Sequence, residues 1–214
     1  NVINPDDTIA EIGADAFRLY EMFMGAFDQA IPWSTEGARG CRRFLERVWR
    51  LQDMLTQEDA VRHAMEVPVN AMIKKVSEDY ERMKFNTAIA AMMSFVNDVY
   101  AMGSITRAEL RALMLCLNPV APHITEEMWE ACGLRQPIYT QSWPAYDEGK
   151  LVADEVEIAV QIRGKVRARI MVPADMGKDD GAKLLEHETV RRLVGDAQVK
   201  KLIFVPGRLL NIVC

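Results

Sequence analysis

The hydrophobic period of this chain changes once, near residue 155, and that change limits what each part can fold into. Upstream, apolar residues recur at helical spacing; downstream they alternate. A period of about 3.6 buries one stripe of a helix, whereas a period of about 2 buries one face of a sheet. The expected fold class is mainly α: a helical bundle followed by a small α+β C-terminal domain.

Residues 1 to about 132 read as successive helices. Asn4 is a good N-cap, with Pro5 at the first helical position and Asp6 and Asp7 at the positive end of the helix dipole. Gly13 can stop that helix in a left-handed conformation. A second helix carries Ala16, Leu19, Tyr20 and Phe23. Ser34 or Thr35 caps a third, whose stripe is Ala38, Cys41, Leu45, Val48 and Leu55. Pro68 is expected to separate a weak helical stretch from a stronger one, and Asn86 to cap the next. Thr106 and Glu109 form a capping-box pair. A last helix starts at Thr125–Glu127 and ends at Gly133. The 13 methionines cluster in these stripes and read as core filling. Residues 133–153 are aperiodic and contain Pro137, Pro144 and Gly149, so they read as the end of the bundle and a linker.

Val156, Ile158 and Val160 alternate with polar residues, as do Val166, Ala168, Ile170 and Val172, which predicts a hairpin. A two-residue Arg163-Gly164 loop would set Val160 against Arg167. A three-residue loop, Ile162-Arg163-Gly164, sets Val160 against Val166, Ile158 against Ala168 and Val156 against Ile170, with Gly164 left-handed. The three-residue loop is therefore expected. A helix over roughly 178–194, weakened by Gly181, and two strands near 199–205 and 208–213 complete the domain.

No apolar run approaches the roughly 20 residues of a membrane helix. The N-terminal NVINPDD has neither the basic nor the apolar region of a signal peptide, and the missing initiator Met suggests a piece of a longer protein. Cys41, Cys116, Cys132 and Cys214 show no metal-ligand spacing and read as structural thiols in a reducing compartment. His123 reads as a loop-packing residue, and no Gly-rich phosphate loop or catalytic constellation occurs. The net charge of −5 divides into −7 over residues 1–150 (15 Lys and Arg, 22 Asp and Glu) and +2 over 151–214 (11 and 9).

Two basic arrays stand out. Arg39, Arg43, Arg47 and Arg50 share one helix face, opposite the apolar stripe, with Glu46 nearby. Lys165, Arg167 and Arg169 share the outward face of the hairpin strand, spaced about 7 Å apart, with Glu157 opposite Arg169. Both arrays suit a phosphate backbone, and both also fit plain solvated faces.

The segment order carries a resemblance. NVINPDD with GADAFRLYEMF (13–23), PWSTEG (32–37), RRFLERVWRL (42–51), FNTAIAAMMSFVN (85–97) and NPVAPHITEEMWE (118–130) resemble class I aminoacyl-tRNA synthetases after their Lys-Met-Ser-Lys-Ser signature. In that alignment Asn1 follows the signature's Lys-Gly. The isoleucine, valine and methionine enzymes share these motifs. VQIRGKVRARIMVPADM (160–176) and KKLIFVPGRLLNIV (200–213) resemble the C-terminal domain of bacterial leucyl-tRNA synthetases. Arg163 departs from the usual Asn of the turn, and Gly177 and Gly181 from better helix residues.

The resemblance implies three segments: connecting helices over 1–30, an anticodon-binding-type bundle with its linker over 31–150, and a tRNA-binding domain over 151–214. It implies a tRNA-positioning part of a cytoplasmic, monomeric leucine–tRNA ligase, with tRNA(Leu) and the catalytic and editing domains as partners. ATP with Mg belongs to the whole enzyme and no cofactor to this part. The expected tRNA-binding residues are the two arrays plus Lys200 and Lys201, which open a later strand. Alternatives are the equivalent part of the isoleucyl, valyl or methionyl enzyme, or a free-standing helical protein-interaction module.

Overall fold

The computed structural model describes residues 3–26, 29–134, 136–151, 155–162, 164–174, 176–195, 197 and 199–213. Asn1, the Arg163 of the hairpin turn and Cys214 lie outside them. The chain divides into two compact units, Asn1–Leu151 and Val152–Cys214.

The first unit is helical: α1 (Pro5–Ile12), α2 (Ala14–Phe23), α3 (Thr35–Trp49), α4 (His63–Glu81), α5 (Phe85–Met102), α6 (Arg107–Leu117) and α7 (Pro122–Ala131). Local signals set several ends. Asn4 accepts from Asp6 N, Ser34 from Gly37 N, and Thr106 with Glu109 makes the reciprocal box that opens α6. Ala38, Cys41, Leu45 and Val48 of the expected stripe are buried in α3, whereas Leu55 lies beyond the end of the helix and is half-buried; Met65, Met72, Met92, Met114 and Met128 fill the core. Burial pushes the Cys41 thiol up to about 11 and Cys116 to about 12, so both are inert apolar filler.

Three boundaries differ from the sequence reading. Pro68 lies inside α4 and does not divide it. Its missing N–H forfeits one bond, but Val69, Met72, Ile73 and Val76 are all buried on the same helix and hold it together. The helix cap before α5 is Lys84, not Asn86, because Lys84 N closes the preceding turn on Asp79 O at 2.7 Å. α7 begins at Pro122 because Asp15 of α2 receives His123 N at 3.3 Å and Ile124 N at 2.7 Å. A carboxylate distant in sequence thus does what Thr125 cannot.

The aperiodic stretch after α7 is strapped along α4. Ile138 is buried, Trp143 Nε1 donates to Ser77 Oγ at 2.7 Å, Asp147 N to Asn70 Oδ1 at 2.7 Å, and Lys150 pairs with Glu66 at 2.6 Å. Lack of periodicity here reflects side-by-side anchoring, not looseness.

The second unit holds β1 (Glu155–Ile162), β2 (Lys165–Pro173), a 3-10 stretch at Lys178–Glu186, α8 (Glu188–Val194), β3 (Lys201–Val205) and β4 (Leu209–Val213). Its sheet order is β2-β1-β4-β3, with β1 and β4 parallel and the other pairs antiparallel. The register corrects the expected hairpin. Ile162 pairs with Lys165, so the loop is the two-residue one, with Gly164 left-handed at φ 77°. Arg167 is then an extra, bulged residue, and pairing resumes as Val160↔Ala168, Ile158↔Ile170 and Val156↔Val172. The bulge restores apolar-to-apolar parity that the two-residue loop alone would break.

Gly181 reads as a poor helix former, but contact decides its identity. A Cβ there would lie 2.6 Å from Phe204 Cβ, so the 3-10 stretch can approach β3 only with glycine. The expected single helix is broken at His187, which is extended and caps α8.

Two outcomes follow. Gly181→Ala should raise helix propensity yet destabilise the second unit, by about 1–3 kcal/mol, because the close approach is lost. A melt showing stabilisation would mean that propensity governs instead. For the first unit, burial would raise the Glu109 carboxyl, but bonds from Arg62 and Thr106 outweigh it and hold it below its ordinary 4.5. Its contribution is complete above the unfolded carboxyl's value and disappears as pH falls through the lower folded one. Glu109→Gln should cost about 3 kcal/mol at neutral pH. Urea melts from about pH 6 to about pH 3 should show a smaller acid loss for the variant than for wild type; equal losses would rule out this role.

Candidate nucleic-acid interface

The α3 array does not present four free cations. Arg39 Nη2 pairs with Glu11 Oε1 at 2.9 Å, and Arg43 Nη2 with Glu36 Oε1 at 2.9 Å. Arg42, at the edge of the array, bonds Glu46 at 3.2 Å and the Glu11 carbonyl at 2.9 Å. Glu11 ends the turn that α1 brings against α3, so Arg39 and Arg42 fasten α1 in place. Such exposed pairs are screened by solvent and contribute little to stability.

Positive charge survives at the C-terminal end of the array. Arg47 donates to the neutral Asn97 Oδ1 at 2.8 Å, and its guanidinium carbon lies 4.7 Å from the centroid of the Tyr100 ring. Tyr100 in turn donates to the Arg47 carbonyl at 3.0 Å. A cation held by an amide and a ring face is oriented without being neutralised. Arg50 follows in a 3-10 turn, exposed and without a partner among the described residues.

In the second unit the bulge separates the hairpin cations. Arg169 lies on the outward face and pairs diagonally with Glu157 at 2.8 Å; its direct neighbour is Ala159, and Glu157 faces Met171. Lys165 pairs with Ile162, which shares the parity of Ile158 and Val160, so it leaves the face of Arg169. Arg167 is exposed at the bulge. The expected three-cation face is therefore corrected: one extra residue reverses the alternation between Lys165 and Arg169. Lys200 and Lys201 are exposed at the β3 edge, the opposite edge from β2. Lys165, Arg167, Lys200 and Lys201 have no ion-pair partner among the described residues.

Other polar side chains serve the fold. His123 Nδ1 lies 2.7 Å from Asp15 Oδ1, which fixes the ring at the start of α7. Sequence reasoning missed Asn97 and Tyr100, because nothing local links them to a helix some fifty residues earlier. It also missed Arg208, exposed in the β3–β4 turn, for which its position in a Pro-Gly-Arg turn was a usable signal. Among the described residues no group of His, Cys, Asp and Glu could hold a metal ion, and no helix is long and apolar enough to cross a membrane.

The chain matches the family described as the anticodon-binding domain of tRNA ligase over residues 64–180. Over all 214 residues it is 46% identical to a leucine–tRNA ligase of Alkaliphilus oremlandii (strain OhILAs), of which it spans 27%. In fold it is similar, over its whole length and 30% of that chain, to the LeuRS in the crystal structure of the ternary complex of Agrobacterium radiobacter K84 agnB2 LeuRS-tRNA-LeuAMS, with a TM-score of 0.69 and 31% identity. The chain spans about a quarter of the curated relative it matches. By these matches the chain belongs to the anticodon-binding domain family of tRNA ligases and is homologous to the C-terminal part of leucyl-tRNA synthetase.

Proposed function

We propose that this chain binds and positions tRNA(Leu) for a leucine–tRNA ligase that works as a cytoplasmic monomer. The observation that carries this is 46% identity over all 214 residues to a leucine–tRNA ligase, the small C-terminal unit included, together with a structural neighbour whose complex contains tRNA. Arg47 and Arg50 at the end of α3 supply oriented cations, while Arg39 and Arg43 hold charge already shared with carboxylates. Lys165, Arg167, Arg169, Lys200 and Lys201 supply the second group of phosphate contacts.

ATP and Mg belong, in this reading, to the whole enzyme. This chain's sequence has no Gly-rich phosphate loop, and no cluster among the described residues could hold the ion. No step of leucine activation is assigned to it, and its partners in the reaction are the catalytic and editing parts of the whole enzyme. Positioning is nevertheless catalytic in effect, since a misplaced acceptor end forfeits the gain from proximity.

Binding of a tRNA(Leu) transcript over a salt series tests this. Each phosphate contact removed should lower the slope of log K against log salt by about 1. Arg50→Ala and the pair Lys200→Ala/Lys201→Ala should each weaken binding and flatten the slope, whereas Arg43→Ala should do so less. Slopes equal to wild type in all three would remove these residues from the interface.

A further inference from the structure

Helices α4 and α5 are joined by the short turn 82–84, so they lie side by side and run in opposite directions. The seam between them stays open. Pro68, Ala71 and Met72 of α4, Ala91 and Phe95 of α5, and Leu151 line a groove of about 460 Å³. Met72 and Phe95 are buried and form its floor. Ala71 and Ala91 place only a methyl group where longer side chains would close it.

Lys74, Lys75, Glu78 and Asp98 also border the groove. The two cations are spent within the fold. Lys75 lies 2.6 Å from Asp79, and Lys74 lies 3.4 Å from Glu148 and 5.7 Å from the centroid of the Tyr146 ring. Glu78 and Asp98 have no ion-pair partner among the described residues. Desolvation raises the Asp98 carboxyl above its ordinary value, the direction expected where no neighbouring cation offsets burial. Glu78 is near the turn and Asp98 far from it. At about 1.5 Å per residue, the two stand roughly 15 Å apart along the groove.

The groove therefore offers an apolar floor between two free carboxylates. Like charge disfavours a phosphate backbone here, which sets this face apart from the cationic ones. A straight groove between two helices fits a third helix, whose apolar side chains enter at every third or fourth position. Basic residues about three turns apart on that helix would reach both carboxylates. We propose that the α4–α5 groove is a docking site for a basic amphipathic helix of a partner protein, with its apolar stripe on Met72 and Phe95 and its cations on Glu78 and Asp98. This is independent of the tRNA-binding reading.

The test uses the 214-residue chain and a set of synthetic helical peptides of about 18 residues. Each has a Leu stripe flanked by Lys residues about 11 positions apart, and the set varies the register of the stripe. The best Lys peptide should bind, and its counterpart with Glu for Lys should bind roughly tenfold more weakly or less. Glu78→Gln/Asp98→Asn should weaken the Lys peptide roughly tenfold and remove most of the difference between the two peptides. Ala71→Leu should abolish binding by filling the groove, with helix content unchanged in circular dichroism, because Ala71 is exposed and leucine suits a helix. The proposal is overturned if no Lys peptide binds, if the Glu peptide binds equally, or if Ala71→Leu leaves binding intact. Two other occupants would also overturn it. Displacement of the peptide by a tRNA(Leu) transcript would assign the groove to RNA, and conversion of a dimer to a monomer by Ala71→Leu in sedimentation would assign it to a second copy.

Discussion

The buried carboxylate of Glu109 is the junction on which the helical unit depends. It is fully enclosed, and one oxygen receives Arg62 N at 3.1 Å and Nε at 2.9 Å while the other receives Arg62 Nη2 at 2.6 Å and Thr106 N at 3.0 Å. Arg62 also donates to Ser104 Oγ at 2.7 Å and Ser104 O at 2.9 Å. The starts of α4 and α6 are thereby tied together. The same junction aligns Leu55 and Ile105 as a short bridge, with Thr56 N on Ile105 O at 2.9 Å. An uncompensated charge here would be costly, so the pair stands or falls together.

The other buried polar groups of the unit follow the same logic. Asp15 seats the first turn of α7. Asp79 takes Lys75 at 2.6 Å and Thr87 Oγ1 at 2.5 Å, which fixes the turn between α4 and α5. Asn70 anchors the strap through Asp147 N. Thr125 Oγ1 accepts from Asn118 Nδ2 at 2.9 Å across the α6–α7 turn. Each of these side chains joins segments that the apolar core alone would leave free to slide, since apolar contact is not directional.

In the small unit, close approach plays the part that buried charge plays in the large one. The 3-10 stretch reaches Phe204 through Gly181, and the bulge at Arg167 keeps the hairpin core in phase while turning Val166 outward. The two features leave one sheet face packed and the other open. The cations on α3 divide in the same way: Arg39 and Arg42 hold α1, and Arg47, on Asn97 and Tyr100, is left without a carboxylate partner.

The sequence by itself determined the helical bundle, the change to strands, the caps at Asn4, Ser34 and Thr106, and the buried stripes, because each depends on neighbours within one or two turns. The family resemblance was legible for the same reason, as its motifs are contiguous. Tertiary structure alone decided that Asp15 starts α7, that Pro68 remains inside α4, that residues 138–150 are strapped down, and that Gly181 is required by contact. It also decided which cations keep their charge and which way Lys165 and Val166 face. These outcomes depend on groups that meet only after the chain has folded back, or on a single inserted residue that reverses strand parity, and local spacing encodes neither.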